Sequence, residues 1–182
     1  LYGFFVARAG LGASESMRSK LAEYNDPRLS RAFITKQGTS GKEQAPGTAD
    51  NAVYAPNGTP EQGTSKYGTS LFMYSISAPT LLLSYHELKF LEAEALCRLE
   101  RDAKSALKDA VVAGLLNAEN SFTISRKELG KTLINAASSI TEAEAESYFD
   151  NTIEAKYTAE PLKTTMTQKY FALWGASGEA TE

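Results

Sequence analysis

With 182 residues, 42% of them apolar and 23% charged, the chain has an ordinary globular composition and buries roughly 70% of its unfolded surface on folding. A net charge of −3 without any Lys/Arg cluster excludes a nucleic-acid protein. No apolar run approaches the ~20 residues of a membrane-spanning helix, and the single cysteine excludes an internal disulfide.

The opening Leu1-Tyr2-Gly3-Phe4-Phe5-Val6 is apolar and has no clear period, so residues 1–13 read as an irregular lead-in or short strand. Both ends read as cuts in a longer chain. Ser14 is placed to cap a helix with Met17, Leu21 and Tyr24 on one face. That helix must stop near Asn25, because Pro27 disfavours the α region for Asp26. Asn25-Asp26-Pro27-Arg28-Leu29 is thus a turn, followed by a short extended piece over 29–35. From Lys36 to Ser70 glycines, prolines and small polar residues break both the helical and the strand template. A structureless connection beyond ~12–15 residues is uncommon unless it is functional or disordered. This one carries Tyr54 and Tyr67, and Phe72 and Tyr74 follow directly.

The stretch from Ser84 to Glu119 organises the rest. Ser84-Tyr85-His86-Glu87 is a capping box, and Leu83 and Leu88 occupy the positions of a hydrophobic staple. Tyr85, Leu88, Leu91, Ala95, Leu96 and Leu99 then follow at helical spacing and are expected to form the inward face. After the break Glu100-Arg101-Asp102, the residues Ala103, Ala106, Leu107, Ala110, Val111, Gly114, Leu115 and Ala118 make a stripe of mostly small residues. Such a stripe lets its helix lie close against a partner. Ser125-Arg126-Lys127-Glu128 repeats the box spacing and predicts a further helix reaching Ile140. Thr141-Glu142-Ala143-Glu144 opens another, carrying Ala145, Tyr148, Phe149, Ile153 and Tyr157. Pro161 suits a first helical position, Leu162, Met166, Tyr170, Leu173 and Trp174 are expected to face inward, and Gly175 can end that helix. The fold class read from this pattern is mainly α. Helical hairpins of the tetratricopeptide kind carry one long irregular Gly-rich loop: 1–35 lead-in and short helix, 36–83 loop, 84–175 helical repeat, as a single region over 1–182.

Catalytic chemistry finds no candidate. His86, the only histidine, has no nucleophile partner and reads as a surface helix residue. It lies three helical turns, ~16 Å, from Cys97, which reads as a buried small hydrophobe, so the two do not make a metal pair. Glu142, Glu144 and Glu146 alternate through a first turn, where negative charge complements the helix dipole. No phosphate-binding glycine motif is present. The chain therefore reads as non-enzymatic, without metal or cofactor. What remains is the loop. Tyr54, Tyr67 and Tyr74 each offer a flat apolar face and a hydroxyl, the combination that suits sugar rings, and Asn51, Asn57 and Gln62 can add hydrogen bonds. The competing role for each ring is to anchor the loop onto the helices, and Trp174 sits at core spacing.

Several segments line up with a known family. They are Asn25-Asp26-Pro27-Arg28-Leu29 after a short helix, the Gly-rich loop, the run from Pro79 through Tyr85-His86-Glu87-Leu88-Lys89-Phe90-Leu91-Glu92-Ala93-Glu94-Ala95, and Thr167-Gln168-Lys169-Tyr170-Phe171-Ala172-Leu173. In this order they resemble the SusD/RagB family over roughly Ser14 to Trp174. The resemblance implies a mostly helical, non-catalytic lipoprotein of the bacterial outer membrane, exposed at the cell surface. Such a protein binds glycans or other nutrients and hands them to a SusC-like TonB-dependent transporter. It also implies that this chain is an internal or C-terminal fragment, since the family's lipidated cysteine and signal peptide lie outside it. The alternative is a helical-repeat adaptor holding a peptide or protein on a concave helix surface. Deleting 36–70 is expected to abolish binding in the first case and to spare it in the second.

Overall fold

The structure, a computed structural model, describes residues 13–37, 42–44, 54–58, 67, 69–70, 83–129 and 138–174. In chain order the elements are α1 (Glu15–Glu23), β1 (Phe33–Gln37), β2 (Lys42–Gln44), β3 (Thr69–Ser70), α2 (Tyr85–Arg98), α3 (Lys104–Leu129), α4 (Glu142–Tyr148), a π-helical turn (Phe149–Ile153), α5 (Glu154–Ala159) and α6 (Pro161–Leu173). Helices dominate the described residues. The chain divides into two compact units, 1–78 with 120–139, and 79–119 with 140–182, so α3 contributes residues to each.

In the first unit, α1 starts where expected: the Ser14 hydroxyl accepts from the Met17 amide, and Met17 and Leu21 are buried. It ends in a Schellman motif. Asn25 takes φ +50°, the left-handed region that asparagine tolerates, the Asp26 amide donates to the Leu21 carbonyl at 2.9 Å and the Asn25 amide to Ala22 at 3.1 Å. The turn then buries an ion pair. Asp26 Oδ1 accepts from the Arg28 amide (2.9 Å) and Nε (2.8 Å), and Asp26 Oδ2 accepts from Arg28 Nη2 at 2.6 Å. Arg31 donates to the carbonyls of Pro27 (2.8 Å) and Ser138 (2.6 Å), tying this turn to the far end of the unit.

The few residues described between 36 and 83 include short strands. β1 pairs antiparallel with β2 (Thr35 opposite Gln44) and with β3 (Phe33 opposite Ser70), giving a three-stranded sheet in the order β2-β1-β3. A few consecutive residues between breakers suffice for a strand once a partner satisfies its backbone, which a window-based pattern misses.

In the second unit the expected N-caps are present. The Ser84 hydroxyl accepts from the Glu87 amide (3.2 Å), that of Thr141 accepts from the Glu144 amide (3.2 Å), and Pro161 begins α6. At the end of α2, Glu100 adopts φ +54° and the Arg101 amide donates to the Leu96 carbonyl at 2.9 Å, a second Schellman closure. The small-residue stripe of α3 is buried as read, and Gly114 has a physical reason. A Cβ there would stand 3.0 Å from the Ala172 Cβ of α6 and 3.8 Å from Phe90 of α2. The start of α3 is closed by a distant residue: Tyr157 Oη accepts from the Ala103 amide (2.8 Å) and donates to Asp102 Oδ1 (3.1 Å). Burial is the main reason that its phenol is pushed up. Tyr148, Phe149, Ile153 and Tyr157 are all buried along the continuous run from α4 to α5.

Four expectations are overturned. The inward face of α2 is made by His86, Phe90 and Ala93, while Tyr85, Leu88, Leu91 and Leu99 are exposed. α2 has apolar residues on opposite sides, and spacing alone does not choose between them. His86 is buried rather than on the surface, with Nε2 3.2 Å from the Ser84 hydroxyl. On α6 the buried residues are Thr164, Thr165, Gln168, Phe171 and Ala172, whereas Leu162, Met166 and Tyr170 are exposed and Trp174 is half-buried. Finally, no new helix begins at Ser125. α3 passes through this fully buried residue to Leu129, because neighbouring turns already satisfy the amides that the box would cap. Cys97 is half-buried with Sγ 3.5 Å from Thr165 Oγ1. Gly175 lies outside the described residues.

Glu94 joins α2 to α6. It accepts from Lys169 Nζ at 2.8 Å and from Arg98 Nε at 2.9 Å, and these cations, Lys169 first, hold its carboxyl below the usual range. A depressed carboxylate stabilises the fold above its unfolded pKa, and that contribution is lost as pH falls through the folded value. Glu94→Gln is therefore expected to cost about 1–2 kcal/mol at neutral pH. The difference from the parent chain should vanish in acid below the ordinary carboxylate range, as read by thermal unfolding against pH.

Candidate ligand-binding site

Of the six residues proposed from the sequence, the structure places three. Segment 54–58 is fastened beside the start of α1: the Ala55 amide donates to the Ala13 carbonyl (2.9 Å), and the Glu15 amide donates to the Ala55 carbonyl (3.0 Å). Tyr54 is half-buried. Its ring meets Phe33 edge-on at 5.2 Å and lies under the Arg18 guanidinium at 5.5 Å. Tyr67 is buried, with 4% of its surface exposed. Asn57 is exposed in a turn that relies on Gly58 at φ +77°. Tyr74, Asn51 and Gln62 lie outside the described residues. Tyr54 is thus held within the first unit, Tyr67 is buried, and the exposed polar group on segment 54–58 is Asn57.

The second unit carries a cleft that the sequence reading did not foresee. It is an open hollow of about 300 Å³ floored by Val112, Ala113 and Leu116 of α3 and edged by Tyr85 at the start of α2. Lys108 and Asp109 line it from α3, and Glu142 and Glu146 from α4. The cations are already engaged: Lys108 Nζ donates to Asp150 Oδ1 at 2.7 Å, while Lys89 Nζ, 5.9 Å from the Tyr85 ring centre, contacts Glu92 (3.0 Å) and Asp109 (3.4 Å). These bonds, to Asp150 and to Glu92 respectively, keep both ammonium groups above their ordinary range. Glu142 and Glu146 are exposed, one helical turn apart on the same face of α4. An exposed aromatic ring, an apolar floor and carboxylate acceptors together suit a ligand with C–H faces and hydroxyl edges. The i, i+4 spacing of Glu142 and Glu146 was the available signal. Tyr85 gave none while it was assigned to the inward face. Among the described residues no group of histidine, cysteine, aspartate and glutamate is arranged to hold a metal, and no helix is long and apolar enough to cross a membrane.

A family model described as SusD-like, starch-binding and associating with the outer membrane, matches residues 4–180. The chain belongs to the SusD-like family. A solved SusD/RagB family protein from Bacteroides thetaiotaomicron is 60% identical and covers 99% of this chain with a TM-score of 0.90. This SusD-like chain spans 38% of that protein's length. No curated protein matches it.

Proposed function

We propose that the chain is part of a cell-surface protein that binds glycans or related nutrients without catalysis and delivers them to a SusC-like TonB-dependent transporter. In this reading the whole protein is lipid-anchored to the outer membrane. The observation that carries it is the match of residues 4–180 to a family described as starch-binding and associating with the outer membrane. Tyr54, Tyr67, Tyr74, Asn51, Asn57 and Gln62 are the proposed ligand-binding residues of the loop, Tyr67 being buried and Tyr54 half-buried. The Tyr85 cleft is a second surface of suitable chemistry. Micromolar to millimolar affinity, about 4 to 8 kcal/mol, suits a protein that must release its cargo.

Isothermal titration of the full-length protein against starch-derived, plant, host and microbial oligosaccharides is expected to give saturable heat with one of these classes. Tyr74→Ala and Tyr85→Ala then separate the two surfaces, the variant at the true site weakening binding by about 1–3 kcal/mol. A folded sample that gives no heat with any sugar would refute the glycan reading.

A further inference from the structure

The first unit leaves the junction Asn57-Gly58 open. Asn57 is exposed, and Gly58 takes φ +77° with nothing beyond its chain neighbours within 4 Å of where a Cβ would stand. Both backbone bonds that fasten this segment beside α1 are made upstream, by Ala55. The other described asparagines are held differently. The amide that follows Asn25 is that of Asp26, which donates to the Leu21 carbonyl at 2.9 Å in the closure of α1. Asn117 and Asn120 lie inside α3. Asn151 lies inside the π-helical turn, with its side chain donating to Ser147 Oγ at 2.9 Å. In each of these cases the following amide belongs to a hydrogen-bonded ladder or closure.

That amide nitrogen is the nucleophile that decides the fate of an asparagine. When it attacks the side-chain Cγ, an N–Cγ bond forms and closes a cyclic imide. The Cγ–Nδ2 bond breaks, and Nδ2 leaves as ammonia with the proton of the attacking amide. Water then opens the imide at either carbonyl, giving aspartate or isoaspartate, with no oxidant or reductant involved. An N–H held in a helical ladder reaches Cγ only after local unfolding. A side chain on the following residue crowds the nitrogen, whereas glycine leaves it bare and lets the backbone turn through conformations closed to other residues. From these observations we infer that Asn57-Gly58 is a self-modifying site of the folded protein. Asn57 converts to aspartate and isoaspartate, while Asn25, Asn117, Asn120 and Asn151 stay amides. The conversion removes the amide donors of Asn57 and leaves a carboxylate that only accepts. Isoaspartate also lengthens the main chain by one carbon. The inference holds whatever ligand the protein binds, and on the glycan reading the same event alters a ligand-binding residue.

The folded full-length protein is incubated at mildly alkaline pH in heavy-oxygen water, beside a sample denatured in guanidinium. Peptide mass spectrometry follows each asparagine, and isoaspartate is distinguished from aspartate by fragmentation. In the folded protein Asn57 is expected to convert at least about tenfold faster than Asn25 and Asn151, and within about tenfold of its own denatured rate. The product at position 57 is expected to contain isoaspartate beside aspartate, each carrying an oxygen from the water. Direct hydrolysis of the side-chain amide yields aspartate alone. Folding that protects Asn57 as strongly as Asn25 overturns the inference, and so does aspartate at position 57 without isoaspartate.

Discussion

Asp26→Ala is expected to destabilise the protein by about 3–5 kcal/mol. The side chains of Asp26 and Arg28 are 0% and 3% exposed, and the carboxylate accepts three bonds from Arg28 alone. Removing the carboxylate leaves a guanidinium in a buried site without its counter-charge, which costs far more than the pair itself contributes. The damage also reaches the chain direction. Asp26 Oδ1 holds the Arg28 amide, and Arg31, one turn later, carries the bonds to Pro27 and Ser138. Denaturant unfolding of the D26A, R28A and double variants should show strong coupling, with the double variant losing much less than the sum of the singles. Additive losses below about 1 kcal/mol each would mean that the pair does not hold this turn.

Phe90→Ala is expected to cost about 3–5 kcal/mol in the second unit, whereas the neighbouring Leu91→Ala should cost less than ~0.5 kcal/mol in this 182-residue chain. Phe90 is fully buried where α2, α3 and α6 meet, close enough for a Cβ on Gly114 to touch it. Its removal opens a cavity lined by small residues that have little side chain with which to collapse into it. Leu91 points to the exposed side. Equal costs at the two positions would show that α2 is rotated from the orientation described, and a larger cost at Leu91 would restore the inward face expected from spacing.

That pair of substitutions also marks where sequence reasoning held and where it did not. The caps at Ser14, Ser84 and Thr141, the helix start at Pro161 and the buried stripe of α3 were legible because each is set by a few adjacent residues or by one unambiguous period. The orientation of α2 was not, since Phe90 and Ala93 compete with Leu88 and Leu91 and only tertiary partners decide. The same holds for α6, where Thr164, Thr165 and Gln168 take the interior at the expense of larger apolar residues. A capping signature is likewise only permissive, and Ser125 shows it inside an unbroken helix. The candidate site was partly legible. Loop composition pointed to Tyr54 and Tyr67, which the structure places half-buried and buried, and the cleft beside Tyr85 emerges only once three separate helices are assembled.

The wide turn at Phe149–Ile153 bears on how relatives of different length align. A single loop of π-helix is an α-helix that has absorbed one additional residue without losing its axis. Phe149 and Ile153 share the interior with Tyr148 and Tyr157 across this turn. Shortening this segment by one position should yield an uninterrupted α-helix from Glu142 to Ala159, with both flanks still in phase. Gaps of one residue among homologous sequences belong at this point, where the backbone tolerates them, rather than in the breaks between helices.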